Sequence, residues 1–192
     1  MKKGDLNSRG FTIIEVALVL AIAGLIFLMV FIALPGLRAS QRDTERRENI
    51  ISFVNEVKAY QRNNRGALPG GTDTAGKVEV TWNSANNSSN KETSWNGFYR
   101  DYLGEKFVDP SGENYKLTVL NCDVAKAEQP CKTTSPNQIL GNIYNTAFPN
   151  EYKILVVKQA TCYGDHAVAS ANPRHLATLY RLERGGVYCS SN

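Results

Sequence analysis

From Val16 to Leu34 the chain reads VALVLAIAGLIFLMVFIAL, 19 residues without a charge. A bilayer core about 30 Å thick takes about 20 helical residues to cross, so this run predicts one membrane-spanning helix. A secretory signal peptide would carry its small-residue cleavage site after a shorter apolar core. Here the natural cut lies before the apolar run, after Gly10 in SRGFTIIE. The rest of a 192-residue chain then holds one modest domain. One carboxylate, Glu15, sits at the edge of the apolar run, where a charge is costly unless it meets a partner. If the chain is cut after Gly10, the new amine of Phe11 lies four residues, one helical turn, from Glu15. The positive end of the helix is a second source of support for the carboxylate.

Charge says little about partners. Removing Lys2, Lys3, Arg9 and Asp5 with the leader from the 22 basic and 18 acidic residues leaves 19 against 17, which makes no strong case for a nucleic-acid or acidic partner. Basic residues flank the span on both sides, Lys2, Lys3 and Arg9 against Arg38, Arg42, Arg46 and Arg47, so the positive-inside count does not orient it. The cysteines do. Cys122, Cys131, Cys162 and Cys189 form no CxxC, and an even count behind a membrane segment points to disulfides in an oxidising space. Of three connectivities, Cys122 with Cys131 and Cys162 with Cys189 is favoured because each pair closes a local loop. The carboxyl-terminal domain is therefore expected outside.

Beyond the span, Pro35-Gly36 predicts a kink or a short melted stretch, since proline deletes the bond to the carbonyl of Phe31. Ile50, Phe53, Val54, Val57 and Tyr60 then recur at helical spacing, and Arg65-Gly66 supplies a basic last turn and a cap. A helix from about 11 to 65 is expected. Residues 66–107 are rich in Gly, Asn, Ser and Thr and read as a long irregular connection with a short strand at KVEVTW. Asn86 and Asn87 each begin an N-x-S glycosylation pattern. Strand-like runs follow at YKLTVL (115–120), YKILVVKQATCY (152–163) and LATLYRLE (176–183), with VYC after the turn RGG. Asp109-Pro110-Ser111-Gly112 suits a type I turn. The fold class is α+β: a long amino-terminal helix, transmembrane in its first half, on a small antiparallel sheet of three or four strands with a disulfide-bracketed carboxyl-terminal region.

The segment KK....RGFTIIEVALVLAIAGL resembles the amino-terminal signature of type IV pilins and of the related type II secretion pseudopilins: a short basic leader ending in Gly, then an apolar run whose fifth residue is Glu. The resemblance covers residues 1–36. It implies a leader (1–10) cut by a prepilin peptidase between Gly10 and Phe11, and N-methylation of Phe11. It further implies that Glu15 pairs with the amino terminus of a neighbouring subunit as apolar helices bundle into a filament, and that Pro35-Gly36 is similar to a region that unwinds in some pili. Small residues Ala17, Ala21 and Gly24 would let helices approach. The remaining parts correspond to a polymerisation helix half (11–36), an amphipathic helix half (37–65), a variable loop (66–107) and a sheet with its disulfide region (108–192), all pilin-like. KFVDPSGENYKL is similar to the DPxGxxY turn of pseudopilins, with Ser111 where tryptophan is common.

Enzymatic chemistry is not expected. His166 lies four residues from Cys162, but the disulfide reading removes that thiol, and only His175 offers a second imidazole. No metal or cofactor is expected; a calcium site drawing on Asp109, Glu113 or Asp165 lacks dense acidic spacing. Arg174, Arg181 and Arg184 with Tyr180 and Tyr188 would be the material of a DNA-binding patch, against the plainer reading of a solvated face. The mixed charges of Arg38 to Glu48 read as a salt-bridged surface or subunit contact. The expected function is a structural pilus subunit, held in the cytoplasmic membrane and then assembled on the cell surface with other copies and minor pilins, serving adhesion, twitching motility or DNA uptake. A secretion pseudopilin is the nearest alternative. A single-pass membrane protein with a ligand-binding outer domain is the alternative from another class.

Overall fold

The apolar run that ends at Leu34 forms the first part of α1, Ile13–Asn63, in the computed structural model, which describes residues 10–70, 77–86, 93–122 and 153–192. Arg65 and Gly66 stop the helix with φ of 57° and 82°, and the Gly66 N–H closes the last turn on the Gln61 carbonyl at 2.7 Å. The chain divides into two compact units, Met1–Ser40 and Gln41–Asn192, and α1 contributes to both.

In the first unit the helix runs through Pro35 and Gly36 without leaving the helical state, so the expected melted stretch is absent. One missing N–H costs one bond, and the flanking Ala33, Leu34 and Leu37 are strong helix formers that hold the turns on either side. No part of the most apolar 18-residue window is buried within the chain, and its length and composition suffice to cross a bilayer.

In the second unit α1 buries Asp43, Arg46, Ile50, Phe53, Val54, Val57 and Tyr60, one face at helical spacing. Facing it is a five-stranded sheet in the order β1-β2-β3-β6-β7, built from β1 (Lys77–Val80), β2 (Lys116–Asn121), β3 (Lys153–Lys158), β6 (Leu176–Arg181) and β7 (Val187–Ser191). The expected α+β arrangement of a long helix on a mainly antiparallel sheet holds, with one pair as the exception. β2 and β3 pair in parallel, from Lys116↔Lys153 to Asn121↔Lys158, while the other pairs are antiparallel. A parallel pair needs a crossover of a dozen residues or more, and the long segment between Asn121 and Lys153 supplies it. The run 152–163 is also two strands rather than one. Gln159, at φ 57°, turns the chain out of β3 into β4 (Ala160–Tyr163), which pairs with β5 (His166–Ala169) as a separate ribbon.

Central position explains the composition of β3. Ile154 and Val156 pack toward Ile50, Phe53, Leu117, Val119 and Tyr180. Leu155 and Val157 pack on the other face with Ala177, Leu179, Ala160 and Cys122. A strand buried on both faces reads as an unbroken apolar run, as ILVV does.

The described residues of 66–107 hold more regular structure than the single short strand expected. They hold β1, α2 (Trp82–Asn86), α3 (Trp95–Phe98) and a π-helical turn (Tyr99–Leu103). Ser94 caps α3 by accepting from the Gly97 N–H at 3.1 Å. The segment delivers Trp95, Phe98 and Tyr99, all fully buried, to the helix face of the sheet. Phe98 stacks on Tyr102 at 5.4 Å and meets Phe53 edge-on at 5.8 Å, each such pair contributing about 0.5–1.5 kcal/mol beyond area burial. Asn86 ends α2, whereas Asn87 lies outside the described residues.

Candidate functional site

The amino-terminal segment forms its own local structure. The Thr12 N–H and hydroxyl both donate to Glu15 Oε2, at 2.9 and 2.8 Å, and the Glu15 N–H donates back to Thr12 Oγ1 at 3.3 Å. This is a capping box, and its T-x-x-E signature was present in TIIE but escaped the reading of Glu15 as a charge in need of a distant partner. Thr12 is therefore the functional residue that sequence reasoning missed. Both donors reach the same carboxylate oxygen. Among the described residues Oε1 accepts nothing, which leaves it available to a further donor.

Gly10 and Phe11 precede the helix. Phe11 is 88% exposed, and a Cβ built on Gly10 would meet nothing within 4 Å. Among the described residues no packing constraint demands glycine there. Ala17, Ala21 and Gly24 fall along one side of α1, and Gly24 and Gly36 also stand in open space. From Phe11 to Leu37 the large apolar side chains are exposed, Ile13, Leu20, Met29 and Ile32 among them.

In the second unit the charged stretch of α1 is salt-bridged, with Asp43 and Arg46 buried while Glu45, Arg47 and Glu48 stay exposed. Arg46 is buried and forks onto Asp109, Nε to Oδ2 at 2.8 Å and Nη2 to Oδ1 at 3.0 Å. Its Nη1 reaches Asp43 at 3.2 Å and Glu183 at 3.0 Å. Asp43 in turn accepts the backbone N–H groups of Glu183 and Arg184, at 2.8 and 3.1 Å, tying the β6–β7 turn to the helix. Asp109 opens the DPSG turn, whose Gly112 N–H bonds the Asp109 carbonyl at 2.8 Å with Gly112 at φ 95°. Its carboxylate also accepts Ser111 N–H and Oγ and the Tyr180 hydroxyl, the last at 2.9 Å.

These bonds set the protonation states. Burial pushes the Asp109 carboxyl up, but the donors from Arg46, Ser111 and Tyr180 outweigh it and hold it below the usual range. Arg42, with Arg46, holds the Glu183 carboxyl at about 2. Burial first, then the Asp109 charge, pushes the Tyr180 phenol up. Asp109 thus has its oxygens occupied by donors, and Asp165 lies between β4 and β5 on the other face of the sheet, so the three acids considered for calcium are not brought together.

Cys162 and Cys189 form a disulfide that fastens the β4–β5 ribbon to β7. Cys122 is disulfide-bonded as well, while Cys131 lies outside the described residues. His166 bonds Asp165 at 3.1 Å beside a cysteine that is no longer a thiol. The basic residues weighed for a DNA patch separate. Arg174 precedes β6, whereas Arg181 ends it and Arg184 follows, and a six-residue strand is about 20 Å long. Tyr180 is buried, and Tyr188 is half-buried with Arg47 over its ring at 5.6 Å, so neither offers a stacking face.

Residues 5–31 match the family model for the prokaryotic N-terminal methylation motif. No curated protein and no solved structure matches the chain.

Proposed function

We propose that this chain, which carries the class III signal shared by type IV pilins and pseudopilins, is a structural subunit of an extracellular type IV pilus. The observation that carries the reading is the exposed apolar surface of α1 from Phe11 to Leu37, next to a carboxylate with one oxygen still open. Outside a bilayer that surface is stable only against other apolar surfaces, and helices of neighbouring copies provide them. A prepilin peptidase cuts after Gly10, and its need for a residue without a side chain gives Gly10 a role that packing does not. Phe11 becomes the methylated amino terminus. In the membrane the subunit spans once with its second unit outside, where disulfides form. In the filament Glu15 Oε1 takes the amine of an adjacent subunit, and the turn at Pro35-Gly36, already short of one backbone bond, is where the helix unwinds.

Mass spectrometry of the intact chain and its amino-terminal peptide, from the native host, tests this. The expected product starts at Phe11 with one added methyl group. A chain that still begins at Met1 would overturn the reading.

The DPSG turn favours a second reading, a pseudopilin of a type II secretion system. The turn is formed, and Tyr115 beyond it is buried with its hydroxyl accepting from Asn49 at 3.1 Å, which fits the DPxGxxY resemblance. Deleting the chain in its host separates the two: loss of surface filaments belongs to the pilus, and loss of protein secretion with filaments intact belongs to the pseudopilus.

A further inference from the structure

At the carboxyl-terminal end of α1 a cleft of about 600 Å³ brings together Lys58, Arg62, Arg65, Arg174 and His175. Cations near a helix carboxyl terminus are favoured by its dipole, which accounts for Lys58 and Arg62 without any ligand. It accounts for Arg65, two residues past the helix end, in the same way, but not for Arg174. Arg65 holds φ at 57°, a left-handed conformation that a side-chain-bearing residue rarely adopts, immediately before Gly66 at φ 82°. Arg174 arrives from the loop before β6, and its guanidinium lies against the Gly66 backbone: a Cβ there would meet Cζ and Nη1 at 3.0 Å. Gly66 thus serves both the turn and the seat of an arginine from a distant part of the chain.

The floor of the cleft is tied down. Gln61 Nε2 donates to the Arg174 carbonyl at 2.8 Å, and Asn192 Nδ2 donates to that carbonyl at 2.9 Å and to Gln61 Oε1 at 2.8 Å. Asn192 Oδ1 accepts the Leu176 N–H at 2.8 Å. The amides are consumed in positioning, and the cationic heads are not. Among the described residues no carboxylate forms an ion pair with Lys58, Arg62, Arg65 or Arg174, in contrast to Arg42 and Arg46 on the same helix.

We propose that this cleft is a binding site for a phosphate-bearing ligand carrying at least two negative charges. Three guanidinium forks suit the oxygens of a tetrahedral oxyanion, and an ammonium adds a point charge. The lining holds no Phe, Tyr or Trp, so stacking of nucleobases has no platform, and the recognised chemistry is the phosphate itself. The ligand comes either from free phosphate or from a phosphate ester such as a lipid or surface-polymer headgroup. The site stands whether or not the chain polymerises.

Calorimetric titration of the full chain in nonionic detergent tests the proposal, with inorganic pyrophosphate and glycerol 3-phosphate as probes and citrate as the carboxylate control. The expected result is saturable, one-to-one binding of a phosphate probe that weakens as salt is raised. Arg62→Gln and Arg174→Gln should each weaken it by about tenfold, the effect of losing one charge-assisted hydrogen bond, while Arg181→Gln at the far end of β6 leaves it unchanged. Tighter binding of pyrophosphate supports free phosphate as the source, and tighter binding of glycerol 3-phosphate supports an ester. Absence of saturable heat with both probes, citrate bound as tightly as they are, or an equal loss in Arg181→Gln would each overturn the assignment.

Discussion

Arg46 and Asp109 place a full ion pair where both side chains are nearly sealed from water, 8% and 0% exposed. Such a pair repays its desolvation only when its remaining donors and acceptors are met, and Ser111, Tyr180, Asp43 and Glu183 meet them. Asp109→Ala leaves the guanidinium buried without its main partner, so a loss of about 3–5 kcal/mol is expected in chemical denaturation of the full chain in detergent. A loss under about 1 kcal/mol would mean that water or Glu183 replaces the partner. Acid acts on the same cluster. Asp109 and Glu183 both have carboxyls held below their ordinary values of 3.8 and 4.5, the latter at about 2. The unfolded chain therefore binds more protons in this window, so their stabilisation is complete above about pH 4.5 and is lost as pH falls toward 2. In Glu183→Gln the thermal midpoint should start lower and fall less between about pH 5 and pH 2 than in wild type. Parallel slopes would assign the acid sensitivity to other groups.

The β4–β5 ribbon is the element most dependent on its crosslink. It packs on the sheet largely through Ala160, Ala167 and Ala169, which bury little apolar area, and the Cys162–Cys189 bond spans 27 residues of sequence. A loop of that size corresponds to about 3–4 kcal/mol in the chain-entropy account. Replacing both cysteines by serine should therefore raise hydrogen exchange in 160–169 first, with β3 protected for longer. Simultaneous loss of protection in β3 would make the ribbon part of the sheet's cooperative unit. Elements differ in how openly the chain announces them. The second half of α1, β2, β3 and β6 were legible because one face or both faces are apolar at the matching period. The parallel pairing of β2 and β3 was not, since strand patterns carry no sign of direction. Trp95, Phe98, Tyr99 and Tyr102 do have helical spacing, yet the glycine and asparagine around them hid a short core element inside a loop-like composition. The buried role of Arg46 was hidden for a related reason: its partners Asp109 and Glu183 lie 63 and 137 residues away, and nothing local in RASQRDTERREN marks one arginine from its neighbours.

At the scale of the whole molecule, Glu15 answers to two demands that a single substitution can confuse. Within one chain it caps α1 through Thr12, each side chain meeting the other's backbone N–H at the helix start. Between chains, on the filament reading, its charge meets a neighbour's amine. Glu15→Val removes both. It also removes the cost of placing a charge at membrane depth, so insertion should be unimpaired. Glu15→Gln separates the two demands, because glutamine at the third helical position completes a capping box as glutamate does but carries no charge. If charge pairing drives assembly, both variants should reach the membrane in wild-type amounts, be processed to the same amino terminus, and yield few filaments when sheared surface fibres are quantified. If only the cap matters, Glu15→Gln should assemble as well as wild type while Glu15→Val fails, and the carboxylate would then be there to start the helix rather than to recruit a neighbour.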